Sequence, residues 1–323
     1  MRKPEWTASM PTVAVPATER RTRHRRRIEL VASTLALVML LAACSGSDDA
    51  PKDQPRSATP ASTSASTSTS ASATQLPATA SEPDSEALSL VVLGDSIPYN
   101  SPEDCPGCTG FVDLYADAVS AGTGKPVETS NLSEHTGLTL PGLLDELGSF
   151  STDLAEADVI VVGIAHNSFE LNADKPCGAR FDETTSTITD WSKVDQACAS
   201  TAAASYRKRY DKLFSTIAEL RAGRPTILLT LNRYNDWIGW EDAHLTPAQE
   251  QKTVLMLDAW NDMLCRSAKS HGFVCADIYH AFSGASGDKP AGDLLADDYT
   301  HPSQAGNDLI AQVLEASGYA PLS

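Results

Sequence analysis

The sequence predicts an α/β domain, a three-layer α/β/α sandwich with a parallel sheet of about five strands, over residues 87–323. Three observations lead there. Short apolar runs, mostly Val, Ile and Leu, recur along this stretch. Helix-like segments separate them, and strand–helix alternation of this kind argues for a parallel sheet covered on both faces. The length suits one domain with a substantial core, and there is no internal repeat.

The elements follow in order. A strand is expected over 88–93, a short helix over 111–119 and a second strand over 127–132. A short helix over 140–147 and a strand over 159–164 come next. A longer helix over 203–221 leads to a strand over 226–231, and another over 247–270 leads to the last strand, 273–278. A final helix covers about 302–316. The strands carry little polar alternation, as expected of strands buried on both faces. In such sheets ligands bind beyond the carboxyl ends of the strands.

The chain ahead of this domain reads as an export leader and a tether. Arg20 to Arg27 is a basic block, and an apolar stretch from Ile28 to Ala43 follows, broken by Glu29, Ser33 and Thr34. That is the size of a signal-peptide core, too short for a secure membrane span. It closes with Leu41-Ala42-Ala43-Cys44, which resembles a bacterial lipobox and implies cleavage before Cys44 and lipid on its thiol. The alternative is an ordinary secretory peptide with Cys44 incidental. Residues 45–86 are Ser, Thr, Ala and Pro with a few acidic residues, a composition that cannot bury a core and is expected to be disordered. The expected location is outside the cell, lipid-anchored on the outer face of the membrane or secreted.

Cysteine usage agrees with export. Beyond Cys44 there are six: Cys105, Cys108, Cys177, Cys198, Cys265 and Cys275. An even set in an exported chain reads as disulfides, and sequence proximity suggests Cys105–Cys108, Cys177–Cys198 and Cys265–Cys275. Cys105-Pro106-Gly107-Cys108 also fits a redox C-x-x-C, though it stands in a polar Pro/Gly loop rather than opening a helix.

The full chain carries a formal charge of −17. Residues 1–44 hold eight basic and three acidic residues, so the remainder has 17 basic and 39 acidic, a net of −22. Such a surface argues against nucleic-acid binding and against electrostatic adhesion to anionic lipid. Contact with a membrane would come through the lipid anchor alone. The sequence is silent on oligomeric state, and a monomer is the simplest expectation.

Two short motifs carry the candidate chemistry. Gly94-Asp95-Ser96 ends the first strand, where glycine allows a sharp turn and the serine hydroxyl can stand in a crevice. Asp298 and His301 lie three residues apart near the C-terminus, followed by Pro302, which suits the first turn of a helix. A nucleophile, a base to take its proton and a carboxylate to orient the base are the parts of a serine hydrolase. Each motif has a plainer reading, as a capping serine or a helix-flanking histidine.

Taken together, these residues resemble the SGNH (GDSL-type) hydrolase superfamily, in its group of secreted actinobacterial esterases and lipases. Four blocks align in order: Gly94-Asp95-Ser96, then Asn131 to Thr139, then Gly163 to Ser168, then Asp298 to Gly306. The third block departs from the usual Gly-x-Asn-Asp, with Ala165 and Ser168 in the flanking places, and Ile97-Pro98 varies the first. The resemblance implies a flavodoxin-like sheet and a serine esterase or lipase. Ser96 would be the nucleophile, His301 the base and Asp298 its orienting carboxylate. The backbone amides of Ser96 and Gly137 and the side chain of Asn167 would form the oxyanion hole. The substrate would be a small-molecule, lipid or sugar ester. No metal or organic cofactor is required, and the other histidines lack H-x-x-x-H spacing. A carbohydrate O-deacetylase or acyltransferase of the same fold, or a non-catalytic envelope binding lipoprotein, are the rival readings.

His166 could touch substrate or be structural, whereas His135, His244, His271 and His280 are expected at the surface or satisfied by neighbours. Trp237, Trp240, Asn232 and Tyr234 follow the fourth expected strand and could wall a substrate or pack beneath a loop.

Overall fold

The structure, a computed structural model, describes residues 87–168, 181–182, 187–188, 190–240 and 244–322. The leader with Cys44, the tether and Cys177 lie outside the described residues. Seven strands are present among those described: β1 (Leu88–Gly94), β2 (Val127–Asn131), β3 (Val159–Gly163), β4 (Phe181–Asp182), β5 (Thr187–Ile188), β6 (Ile227–Leu231) and β7 (Val274–Ala276). Five of them form one parallel sheet in the order β2-β1-β3-β6-β7. The short strands β4 and β5 pair antiparallel as a separate hairpin that hydrophobic patterning did not signal.

Side-chain alternation along the central strands divides the core in two. Val91, Leu93, Ile160 and Val162 face one layer, together with α3 (Leu140–Glu146), α4 (Ser151–Glu156), α5 (Gln196–Leu220) and α6 (Pro247–Ser270). Leu90, Val92, Val159, Val161 and Leu229 face the other, with α2 (Phe111–Thr123), α7 (Ile278–Ser283) and α8 (Gln304–Glu315). This is the expected three-layer sandwich. β1 and β3 are sealed on both faces, which explains their unbroken apolar sequence. β2 differs: it is an edge strand, and Glu128, Thr129 and Asn131 are exposed. β7 is the opposite edge, with Val274 exposed.

Capping accounts for the helix limits. α5 begins seven residues before the expected start because Asp195 accepts from the Cys198 amide at 2.8 Å and an Ala-rich segment continues the helix. α6 matches its expected span, opened by a Thr246–Gln249 capping box with Pro247 in the first turn. The last strand stops at Ala276 because Asp277 caps α7, a helix the apolar pattern had merged with it. Pro302 is not in the first turn of the last helix. Ser303 caps α8 through Gly306 N at 3.2 Å, and Pro302 instead bridges to Leu295.

Two of the three expected disulfides join described cysteines. Cys105 and Cys108 are bonded, with Cα atoms 5.5 Å apart. Cys265 and Cys275 are bonded at a Cα separation of 5.3 Å and staple α6 to β7. No helix among the described residues is long and apolar enough to cross a membrane.

Candidate active site

The chain leaves β1 to form β2 on one side and returns to form β3 on the other, so the carboxyl ends of β1 and β3 flank a topological switch point. Two glycines pair there, Gly94 with Gly163. A Cβ on Gly94 would lie 2.4 Å from both the Gly163 carbonyl oxygen and the Pro98 ring. Glycine is therefore required by close backbone approach, which lets the chain turn at once into the single-turn helix α1 (Ser96–Tyr99).

Ser96 is the first residue of α1 and is largely buried. Asp95 caps it, accepting from the Ile97 amide at 3.1 Å. The other oxygen of Asp95 accepts from the amides of Ala165 at 3.2 Å and His166 at 3.0 Å. One fully buried carboxylate thus ties the Ser96 turn to the turn after β3. Burial pushes Asp95 up to about 6, against the pull of the three amides and of Arg233.

Asn167 lies in that second turn, His166–Ser168, with its side chain exposed. Ser168 Oγ accepts from Leu140 N at 2.7 Å and fixes the turn to the start of α3. Gly137 stands on the exposed loop between β2 and α3 with φ +76°. That loop is brought to the end of β1 by Glu134 N, which donates to the Gly94 carbonyl at 3.0 Å.

Asp298 and His301 are brought together directly. His301 Nδ1 lies 2.6 Å from Asp298 Oδ2, while Asp298 Oδ1 accepts from the amides of Thr300 and His301 at 3.0 and 2.9 Å. Tyr299 makes the turn possible in the left-handed region, φ +60°. Tyr234 anchors it, donating to the Thr300 carbonyl at 2.5 Å while stacking on Phe282. Burial pushes Asp298 up, but the bonds from His301 and the two amides, with the His301 charge, outweigh it and hold the carboxyl below its ordinary range. Burial likewise pulls His301 down, but the Asp298 bond and charge, then Asp104 and Asp95, leave it raised. Its Nε2 is buried and makes no hydrogen bond, so Ser96 Oγ is not bonded to it in this resting arrangement.

Around this centre the structure also places Asp104, which motif reading did not single out. Asp104 Oδ2 lies 3.5 Å from His301 Nε2 and 3.0 Å from His135 Nε2. His135 also stacks on the exposed Tyr99 and sits 6.4 Å, ring to ring, from His301. It is thus part of the rim rather than a bystander. His166 packs against the Tyr234 ring at 4.6 Å, and burial, followed by the charges of Arg233 and His301, holds it well below the ordinary histidine range. His271 and His280 pair with Asp211 and Asp277, as expected of structural histidines, and His244 is exposed. Asn232 bridges Asp277 and the Tyr279 amide, and Trp237 packs on the Val194–Met256 cluster beneath the Arg233 guanidinium. Both are structural in place; Trp240 is half-buried on the same loop. Asp104, Asp298 and His301 form a grouping whose ligand atoms lie within 4.8 Å of one another, with His301 Nδ1 already paired to Asp298.

No curated relative matches the chain. Among solved structures, a lipase from a goat rumen metagenome superposes with a TM-score of 0.56 at 19% identity, covering 73% of this chain and 100% of that one. An extracellular lipase from Streptomyces rimosus gives 0.49 at 19% identity, over 72% of this chain and 100% of that one. An acetylxylan esterase from Geobacillus stearothermophilus gives 0.46 at 16% identity, over 72% and 95%. At such identities the first likeness is one of fold. The model of the GDSL-like lipase/acylhydrolase family matches residues 92–309, a span that runs from within β1 to within α8 and includes Ser96, Asp298 and His301. The chain belongs to the GDSL-like lipase/acylhydrolase family.

Proposed function

We propose that this protein is a serine esterase that hydrolyses carboxylic esters through Ser96, His301 and Asp298. The observation that carries the reading is the 2.6 Å contact between His301 Nδ1 and Asp298, formed on a turn held by Tyr234. A carboxylate on Nδ1 fixes the tautomer that leaves Nε2 as the base. Ser96 Oγ attacks the ester carbonyl as its proton passes to Nε2, closing a gap that is often loose in an empty site. The oxyanion is received by the amides of Ser96 and Gly137 and by the Asn167 side chain. The alcohol leaves with the proton from His301. Water then hydrolyses the acyl-enzyme, with His301 as base again. Asp95 ties the turn that carries Ser96 to the turn that carries Asn167, holding nucleophile and that oxyanion donor in register.

The same reading has the enzyme working outside the cell, on a tether of residues 45–86 anchored at a lipid-bearing Cys44. A mass measurement of the mature N-terminus checks that part: a diacylated Cys44 is expected, and an unmodified N-terminus elsewhere contradicts it.

Hydrolysis of p-nitrophenyl esters from acetate to palmitate by the full chain tests the activity. Turnover is expected, falling about 10⁶-fold in Ser96→Ala, about 10⁴-fold in Asp298→Asn and about 10²- to 10³-fold in Asn167→Ala. Turnover that survives Ser96→Ala, or none from a folded protein across the series, contradicts the reading.

A further inference from the structure

The loop between α1 and α2 is built to deliver one carboxylate. Asp104 N and Cys105 N both donate to the Ser101 carbonyl, at 3.0 and 3.3 Å, and the Cys105–Cys108 bond closes the next turn. At its far end Thr109 exchanges two bonds with Gln304, its amide donating to Oε1 at 2.8 Å and its carbonyl accepting from Nε2 at 3.2 Å. Gln304 opens α8, three residues after His301, so the loop is clamped to the same segment that carries the histidine. Phe111 N adds a bond to Asn307 Oδ1 at 2.9 Å.

The result is an imidazole between two carboxylates. Asp298 holds Nδ1 at 2.6 Å, and Asp104 faces Nε2 at 3.5 Å without a hydrogen bond, so the second contact is Coulombic. Asp104 is itself fixed by His135, whose other side is covered by Tyr99. We propose that Asp104 is a positioning residue for His301, facing the Nε2 edge so that the imidazolium formed during acyl transfer is stabilised from both sides. This rests on the esterase reading for its catalytic meaning. Asp104 takes no proton in this scheme; it favours the charged ring that exists between proton uptake from Ser96 and proton delivery to the leaving alcohol.

The groups facing His301 are Asp298 on its own turn, Asp104 on the α1–α2 loop, Asp95 after β1, His135 on the β2–α3 loop and His166 after β3. The carboxylates favour the imidazolium, and removing one favours the neutral ring. The base must be neutral to act, so activity falls as pH drops through the His301 titration. Loss of the Asp104 charge therefore moves that acid limb to lower pH.

The test is direct titration of the His301 ring by NMR in the full chain, with the signal assigned from its loss in His301→Gln. The acid limb of kcat/KM on p-nitrophenyl acetate is measured alongside it. In Asp104→Asn the titration midpoint and the acid limb are both expected at lower pH, and Asp104→Glu restores both toward wild type. If Asp104→Asn does not fold, Asp104→Ser carries the same comparison. A His301 midpoint unchanged on loss of the charge overturns the proposal, even where kcat falls. A shifted midpoint in a protein with no turnover upholds Asp104 as the partner of His301 and overturns the esterase reading instead.

Discussion

Gly94 and Asp95 do most of the structural work beside Ser96. Gly94 is needed for contact rather than for a left-handed φ: any Cβ meets the Gly163 carbonyl and Pro98. Gly94→Ala is expected to separate the ends of β1 and β3 and lower kcat more than KM, because the turn positioning Ser96 is displaced while outer contacts persist. A variant with wild-type kcat contradicts this. Asp95→Ala leaves two buried amides and one part-buried amide without an acceptor, and at roughly 1–3 kcal/mol for each buried group a loss of about 2 kcal/mol or more is expected in urea unfolding. Sequence reading singled out Ser96, Asp298 and His301 by residue type, spacing and motif resemblance, and the contact of Asp298 with His301 is local to one turn. It passed over Asp95, since its partners Ala165 and His166 lie on another strand's turn. It expected His135 at the surface or satisfied by a neighbour, and Asp104 is that neighbour; the nearness of both to His301 comes only through the fold.

Among the elements, the five sheet strands and the longer helices were readable, while some one-turn helices and the two-residue strands were not. β1 and β3 announce themselves because both faces are covered. α6 was placed by its apolar residues at helical spacing, and the structure shows its start fixed by Thr246, Pro247 and Gln249. Thr246→Ala removes that box and is expected to cost about 1 kcal/mol in denaturant midpoint, with kcat unchanged, since α6 does not carry the site. A change in kcat without a change in stability contradicts that assignment. The α5 start was missed because alanines give no amphipathic stripe, although Asp195 marks it as a cap. α4, α7 and the β4–β5 hairpin are too short for periodicity to register.

For the domain around the sheet, topology and chemistry coincide. The strand order puts the switch point between β1 and β3, and the candidate nucleophile and the Asn167 turn occupy it. The turn bearing Asp298 and His301 joins them through Tyr234, which packs against His166. The edge strand β7 is fastened to α6 by Cys265–Cys275 across a sequence separation of ten. Closing a loop of that size constrains the unfolded chain by about 3 kcal/mol, so Cys265→Ala/Cys275→Ala is expected to lose about that much stability. Full stability in the double variant contradicts the staple. The domain's class was legible because alternating strand and helix patterns admit few architectures. The approach of Asp104 to His301 was not, since nothing in a polar Pro/Gly loop tells where it will dock.

Treatment of the full chain with a fluorophosphonate, followed by peptide mass mapping, reads the nucleophile itself. A single adduct is expected on Ser96, absent in Ser96→Ala and strongly slowed in His301→Gln. A folded protein that takes up no adduct, or carries it on another residue, contradicts the assignment of Ser96 as an activated serine.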